Sequence, residues 1–193
     1  MAVEIEMRAR FAKDVRDQLV ARLRTDGEDL GQDDKHIYFY VLPDQLLKVT
    51  DNTTAGTAKI TLKGSKIGRG AAFTETEFPI SRNDVPAAVK VFNALGFEPT
   101  MHEAVNFRHN FRFDGVEIAV KWSEAWGHHA EFEVLLTDGA SDADRTEAEA
   151  AITDVAASLG VSLMTEQELA DFTAAFETAE QARKERKRAT QIR

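Results

Sequence analysis

Acidic and basic side chains alternate with apolar ones in the segment Val-Glu-Ile-Glu-Met-Arg-Ala-Arg, residues 3–10. Side chains of a strand point alternately to opposite faces, so this segment predicts a strand with Glu4, Glu6, Arg8 and Arg10 on one face. Two carboxylates one strand repeat apart can hold a hard divalent cation, and a guanidinium beside them suits a phosphate oxygen. The alternative is an ordinary surface strand with a solvated polar face, which alternates in the same way.

The same alternation recurs in later segments that are also predicted to be strands. Eight antiparallel strands can close into a barrel, and closure removes exposed strand edges. If the apolar faces point outward against helices, the polar faces line a wet tunnel that contains both signs of charge. An open sheet with its charged face in solvent is the alternative. The residues on these later polar faces are Lys48, Thr50, Lys59, Thr61, Lys63, Glu75, Glu77, Asn106, Arg108, Arg112, Glu117, Lys121, Glu131 and Glu133.

The order of the predicted elements gives an α+β fold, a closed eight-stranded antiparallel β-barrel with helices packed outside. The helices are expected at residues 11–24, at residues 81–96 and from residue 141 onward, with a break near residue 160. An acidic loop is expected at residues 27–34. We predict one tunnel domain, residues 1–170, and a C-terminal helical extension with a charged tail, residues 171–193. The expected strands are residues 3–10, 36–41, 46–50, 58–63, 73–80, 105–113, 116–122 and 131–136.

Composition narrows the classes of function. The chain of 193 residues contains no cysteine, which excludes disulfides and cysteine nucleophiles and fits a reducing cytoplasm. Its formal net charge of −9 makes general nucleic-acid binding a poor expectation. Apolar runs fall short of the ~20 residues of a membrane span, and the N-terminus lacks a signal-peptide pattern. We therefore expect a cytoplasmic protein with neither nucleic-acid nor membrane partners. The composition is also compatible with a homodimer.

Several short motifs follow one another along the chain. The first is the opening Glu4-Ile-Glu6-Met-Arg8, and the later ones are Tyr38-Phe39, Leu46-Leu-Lys48-Val-Thr50, Ile60-Thr61-Leu62-Lys63-Gly64, Glu75-Thr-Glu77, Leu95-Gly96-Phe97, Arg108, Trp126-Gly127 and Glu131-Phe132-Glu133. In this order they resemble the motifs of the CYTH superfamily, the triphosphate tunnel metalloenzymes, whose signature is Glu-x-Glu-x-Lys. That superfamily includes class IV adenylate cyclases, thiamine triphosphatases and inorganic triphosphatases, and the resemblance covers about residues 3–170.

The resemblance implies a tunnel that binds a triphosphate-bearing small molecule, ATP or tripolyphosphate, together with Mg²⁺ or Mn²⁺. Catalytic roles would fall to Arg8, Lys63 and Arg108, which would also contact the phosphates with Lys48. Attack by water would give diphosphate and phosphate, and attack by the ribose 3′-hydroxyl of ATP would give cyclic AMP and diphosphate. We favour hydrolysis because it needs only a positioned water, and keep the cyclase and a non-catalytic binding module as alternatives. The metal ligands would come from Glu4, Glu6, Glu75, Glu77, Glu131 and Glu133.

This sequence departs from the family pattern mainly in its basic half. Phe73, Asn106 and Thr50 stand where the family has basic residues, Arg8 replaces a lysine, and Lys121 falls where an aspartate is usual. Other cations could restore the lost charge, and the candidates are Arg10, Lys59, Arg112 and Lys121. Because the carboxylates of the tunnel need counter-charges, we predict that Lys121 points inward, within ion-pair reach of a tunnel glutamate.

Two further patterns are interpreted as structural. His128 and His129 are expected in a hairpin loop beside Trp126 rather than at a metal site. Phe172 and Phe176, four residues apart, are expected to form the apolar seam of a helix.

Overall fold

A computed structural model describes residues 3–64, 72–137 and 139–191. In this part of the chain an antiparallel sheet of nine strands combines with four α-helices, so the α+β class is confirmed. The elements are β1 (Val3–Arg10), α1 (Lys13–Asp26), β2 (Glu28–Gln32), β3 (Lys35–Val41), β4 (Leu46–Asn52), β5 (Thr57–Lys63), β6 (Ala72–Ile80), α2 (Val85–Phe92), β7 (Met101–Phe113), β8 (Val116–Ser123), β9 (Gly127–Leu136), α3 (Asp142–Ser158) and α4 (Glu166–Gln191).

The sheet curls into an open half-barrel rather than the closed barrel predicted from the sequence. Its strand order is β2-β7-β3-β4-β5-β6-β1-β9-β8, with a further pairing between β7 and β8. Two strands divide their length between different neighbours. β6 pairs with β1 over residues 72–74 and with β5 over residues 75–80, while β7 pairs with β3 over residues 101–106 and with β8 over residues 107–113. β6 stops pairing with β5 where it begins to pair with β1, and β7 stops pairing with β3 where it begins to pair with β8. The strand pairing that forms the wall is therefore interrupted at these two places.

The ninth strand is β2, in the segment predicted as an acidic loop. It pairs with β7, with a register shift between Asp29 and Gly31. Gly31 has a φ of +90°, a backbone conformation that glycine adopts without steric cost. The acidic composition and this irregularity hide the strand from a search for alternating apolar residues. β7 and β9 also begin four residues earlier than predicted, at Met101 and Gly127. The helix predicted at residues 81–96 is α2 with a 3₁₀ turn before it, Arg82–Asp84, and a π-helical turn after it, Asn93–Phe97.

The larger hydrophobic core lies outside the half-barrel, where α1 and α3 cover β1, β7, β8 and β9. Leu23 of α1 and Ile152 of α3 are fully buried there. They belong to one cluster with Ile5, Phe111, Ile118 and Phe132, which point outward from the strands. At this cluster the apolar strand faces meet the helices, as predicted, and the charged faces turn inward. Phe78, Val105, Phe107 and Trp122 also lie on the outer faces but are exposed rather than covered.

A second core joins α2 to β3, β4 and β5. Tyr40, Leu47 and Val49 pack there with Val85, the first residue of α2. The buried hydroxyl of Tyr40 is 3.3 Å from the carbonyl oxygen of Val89 and 3.2 Å from Oδ1 of Asn93. These polar contacts at the end of an otherwise apolar side chain fix the position of α2 on the sheet.

The last helix, α4, runs through residue 170, where the sequence suggested a boundary between tunnel and extension; that domain division stays a prediction. None of the helices in the described ranges is long and apolar enough to cross a membrane.

Candidate functional site

The inner face of the half-barrel encloses a cavity of about 580 Å³. Charged side chains of both signs line it, seven carboxylates and seven cations when counted over the described residues. The two sets therefore balance. The carboxylates are Glu4, Glu6, Glu75, Glu77, Glu103, Glu131 and Glu133, and the cations are Arg8, Lys35, Lys48, Lys59, Lys63, Arg108 and Lys121.

Most of the site residues predicted from the sequence lie in this lining, and two lie elsewhere. The guanidinium of Arg10 stacks 4.0 Å from the centre of the Phe172 ring, and its Nε donates to the carbonyl oxygen of Trp126. Arg112 lies near the end of β7 and is half exposed, with Nη1 2.9 Å from Glu28 Oε2. The roles given to all of these residues stay predictions, while their positions are set by the strands.

Lys63 is the centre of the first ion-pair cluster. Its Nζ lies 2.6 Å from Glu75 Oε1, 3.2 Å from Glu4 Oε2 and 3.5 Å from Glu6 Oε2. Burial opposes the charged form of Lys63, but the three carboxylates outweigh it and raise its pKa. The neighbouring Lys48 shares Glu75 at 3.9 Å, and burial together with the charge of Lys63 lowers the pKa of Lys48 to about 8.

Glu131 is the centre of the second cluster. Its carboxylate lies 2.5 Å from Lys121 Nζ, 3.4 Å from Arg8 Nε and 3.8 Å from Arg108 Nη1. Burial would raise the pKa of Glu131, but Lys121 and the two guanidiniums hold it well below the usual value. The prediction that Lys121 points inward to a tunnel glutamate is confirmed.

Glu4 and Glu133 lie where negative charge is least compensated. Burial and the adjacent charge of Glu6 raise the pKa of Glu4 to about 9 and also raise that of Glu133. Glu6 itself contacts Arg8, and that contact, opposed by burial, lowers its pKa. One wall of the cavity therefore has more carboxylate than its cations neutralise.

The chemistry of this wall fits a divalent cation, because hard cations such as Mg²⁺ prefer carboxylate oxygens. Within the described ranges, no group of three acidic or histidine side chains is arranged as metal ligands. The carboxylates of Glu4 and Glu6 instead contact Lys63 and Arg8. The donor atoms suit Mg²⁺ or Mn²⁺ in kind, and in this structure lysine and arginine supply their counter-charge.

The three positions that lack the basic residue of the family pattern differ in what the structure describes. Thr50 and Asn106 are buried in the lining, so both positions face the cavity without a charge. The side chain of Phe73 lies outside the described residues, and only its backbone pairing with Glu4 is known.

Sequence reasoning missed Lys35 and Asp33. Lys35 is the first residue of β3 and lines the cavity, with its Nζ 2.7 Å from Asp33 Oδ2. The predicted strand began one residue later. Lys35, Ile37 and Phe39 are two residues apart and share the side of β3 that faces the cavity. Extending the predicted strand by one residue would therefore have placed Lys35 in the lining.

His129 was also misplaced. It lies with His128 in β9 rather than in a hairpin loop, and it is buried in the cavity wall. Its Nδ1 is 3.0 Å from the carbonyl oxygen of Gly127, and burial together with Lys121 lowers its pKa to about 4. Because a carbonyl only accepts, Nδ1 of the neutral ring is the donor.

One part of the cavity is aromatic rather than charged. Phe172 and Phe176 of α4 line it together with Phe39 and Trp126. The ring of Phe172 packs edge-on against Trp126 at 4.7 Å, and Phe176 lies 5.6 Å from the ring of His102. Expected only as a helix seam, the two α4 rings also form part of the cavity surface.

Comparison with known proteins gives the fold. No family model matches the sequence, and no curated protein matches it either. Among solved structures, PH1012 from Pyrococcus horikoshii OT3 is 23% identical and has a TM-score of 0.64, with 86% of this chain and 93% of that chain covered. A candidate adenylate cyclase from Vibrio parahaemolyticus is 17% identical at a TM-score of 0.61, with 82% and 89% covered.

A third similar structure is HpAC1 from Hippeastrum, a candidate adenylyl cyclase with a dominant triphosphatase activity. It is 14% identical at a TM-score of 0.58, with 84% of this chain and 90% of that chain covered. At these identities the likeness shows the fold alone, and the chain shares the fold of these solved structures.

Proposed function

We propose that this protein hydrolyses a triphosphate inside the cavity, giving diphosphate and phosphate, with Mg²⁺ or Mn²⁺ as cofactor. The observation that carries the proposal is the interleaving of seven carboxylates and seven cations on one concave surface. Burying so many charges is costly even when they are paired, which favours a ligand-binding role for them over a purely structural one. A polyanion with a divalent cation is the ligand class whose two parts match the two sets.

The cations would meet the phosphate oxygens. Lys63, Lys48, Arg8, Arg108 and Lys121 now contact glutamates, and a triphosphate would exchange these contacts for its own oxygens. Charge-assisted hydrogen bonds to a phosphate match those to a carboxylate in kind, so the exchange keeps each cation satisfied. Held in this way, the phosphate chain would be oriented for attack by a water on a terminal phosphorus.

The carboxylates would hold the metal. Glu4, Glu6 and Glu133 are the best candidates among the predicted ligands, because the raised pKa values of Glu4 and Glu133 mark a need for positive charge. Such an ion, when bound, neutralises phosphate charge and polarises a phosphoryl oxygen.

The aromatic part of the cavity supports an organic triphosphate over tripolyphosphate as the substrate. Phe39, Trp126, Phe172 and Phe176 offer ring faces and edges beside the charged region. A flat organic group, such as the base of a nucleotide, gains stacking energy from such surfaces, whereas tripolyphosphate has nothing to place there.

Two alternatives have support of their own. The aromatic rings would equally suit the base of ATP in a cyclase, in which the ribose 3′-hydroxyl attacks and cyclic AMP and diphosphate leave. In the described structure each cation of the lining contacts a carboxylate. This favours the second alternative, a binding module that captures a triphosphate without turnover.

The decisive experiment incubates purified protein with Mg²⁺ or Mn²⁺ and either ATP or tripolyphosphate, and separates phosphate, diphosphate and cyclic AMP. We expect phosphate release that Glu6→Gln abolishes and that Glu147→Gln, a matched change on the exposed face of α3, leaves intact. Cyclic AMP as the main product would establish the cyclase. Calorimetric binding without any product would establish the binding module, and neither binding nor product would refute all three.

A further inference from the structure

The connection between β2 and β3 fills a gap in the sheet beside Arg108. Along one edge of β7, β3 pairs as far as Asn106, and β2 begins to pair at His109. Between them, the backbone N–H of Asp33 donates to the carbonyl oxygen of Arg108 at 2.9 Å, and the N–H of Arg108 donates to Asp34 Oδ1 at 2.9 Å. Two consecutive aspartates therefore hold β7 at the residue whose guanidinium enters the cavity.

The carboxylate of Asp33 gathers the polar groups around that guanidinium. It lies 2.7 Å from Lys35 Nζ and 3.4 Å from Arg108 Nε. It also accepts from the side-chain amides of Asn52 at 2.5 Å and Asn110 at 3.2 Å. Burial alone would raise the pKa of Asp33, but the hydrogen bonds from Lys35 and Asn52 lower it, so the carboxylate is ionised near neutral pH.

Asn110 completes the arrangement. Its Oδ1 accepts from Arg108 Nε at 2.6 Å while its amide nitrogen donates to Asp33. Arg108 is thus held on one side by Asp33 and Asn110 and reaches Glu131 at 3.8 Å on the other. A ligand phosphate that replaced Glu131 would leave the first set of contacts in place.

We propose that Asp33 is a positioning residue that holds Lys35 and Arg108 together as a two-pronged anion site for one phosphate group of the substrate. The inference rests on the proposed function and assigns Lys35, which the sequence did not single out, as a phosphate ligand. Both side chains line the cavity and are less than one-fifth exposed. Lysine and arginine lose much rotamer freedom when they grip an anion, and an anchor that orders them beforehand removes part of that cost.

The test measures tripolyphosphate binding by calorimetry for the wild type, Asp33→Asn and Asp34→Asn. The two variants lose the same charge at adjacent residues, but in the described contacts the carboxylate of Asp34 accepts from the backbone N–H of Arg108 and not from its guanidinium. We expect roughly tenfold weaker binding for Asp33→Asn, on the scale of two side chains left to be ordered on binding. Asp34→Asn should stay within about twofold of the wild type, since its amide oxygen still accepts from the same N–H.

A background that lacks both cations separates positioning from general structural damage. In Lys35→Ala/Arg108→Ala, adding Asp33→Asn should cause no further loss of affinity, because Asp33 acts through the two missing side chains. Lys63, Lys48, Arg8 and Lys121 remain in the cavity to keep binding measurable. If Asp33→Asn fails to fold, Asn110→Ala serves instead and should weaken binding about threefold through the same guanidinium.

The outcomes are distinct. No binding by the wild type would overturn the proposed function, and with it the positioning role of Asp33. Wild-type binding that Asp33→Asn leaves unchanged would overturn the positioning role alone. A loss that persists in the double-alanine background would also overturn it, since the effect would not pass through Lys35 and Arg108.

Discussion

Glu4 bears much of the electrostatic cost of assembling the cavity. Its carboxyl has a pKa of about 9 in the folded chain, against an ordinary value of 4.5, because of burial and the charge of Glu6. Between those pH values the unfolded chain releases a proton that the folded chain keeps, so Glu4 makes folding stability fall as pH rises from about 4.5 to 9. Glutamine cannot ionise, so Glu4→Gln should be more stable than the wild type by about 1–3 kcal/mol at pH 7.

The gain should grow with pH. Denaturant unfolding without metal at pH 5, 7 and 9 measures it, with Glu147→Gln on the exposed face of α3 as the matched control. A stability difference between Glu4→Gln and the wild type that stays constant over this range would contradict the charge argument for this wall.

The contribution of a cation to tripolyphosphate binding should depend on whether its side chain lies in the cavity. Lys63→Ala and Arg108→Ala should each weaken tripolyphosphate binding by about 1.5–3 kcal/mol, the scale of a hydrogen bond to a charged group. Lys13→Ala, on the exposed face of α1 and paired with Asp17, should leave binding unchanged. Calorimetry measures all three, and near-wild-type affinity in both cavity variants would show that the phosphates bind elsewhere.

At this scale the sequence predicts side chains well wherever a strand alternates cleanly. Glu4, Glu6 and Arg8 share one face of β1 in the lining, and Lys121 reaches Glu131 as expected. Asp33 was not predicted because it lies in the connection between β2 and β3, where side chains do not alternate between two faces. Its importance comes from contacts with residues far along the chain, which one-dimensional spacing does not contain.

Among the elements, α3 provides a direct test of the outer core. Ile152 is fully buried between α3 and the strands, and Thr153 beside it is exposed. Ile152→Ala should destabilise the protein by about 2–4 kcal/mol through lost apolar contact and the cavity left behind. Thr153→Ala should change stability by less than about 0.5 kcal/mol. Equal midpoints in urea for the two variants would mean that α3 does not pack on the sheet as described.

The elements that the sequence predicts incorrectly share a physical cause. β2 reads Glu-Asp-Leu-Gly-Gln, with Leu30 as its one apolar side chain, so no alternation marks it as a strand. Its pairing with β7 also shifts register between Asp29 and Gly31. The prediction of a closed barrel rests on the number of strands and on the fact that closure removes exposed strand edges. The way β6 and β7 pass from one neighbour to another depends on their length and twist, and neither can be read from a pattern of side chains.

For the whole molecule, the first strand and the last helix meet beside the cavity. The N–H of Met164, just before α4, donates to the carbonyl oxygen of Arg8 at 2.7 Å, and Arg10 stacks on Phe172. Segments more than 150 residues apart in sequence therefore meet where the charged and aromatic linings adjoin. The homodimer that the sequence analysis allows for stays untested.

The aromatic part of the cavity gives the last prediction, which concerns the choice of substrate. If the rings of α4 bind the organic group of a triphosphate, Phe172→Ala and Phe176→Ala should each weaken ATP binding by about 1–3 kcal/mol, the scale of base–aromatic stacking. Tripolyphosphate affinity should stay within about twofold, because its contacts are to the cations. Phe78→Ala, an exposed residue of β6 outside the lining, is the matched control. Calorimetry with both ligands decides the question: an equal loss for ATP and tripolyphosphate would mean that α4 shapes the cavity without selecting the organic group.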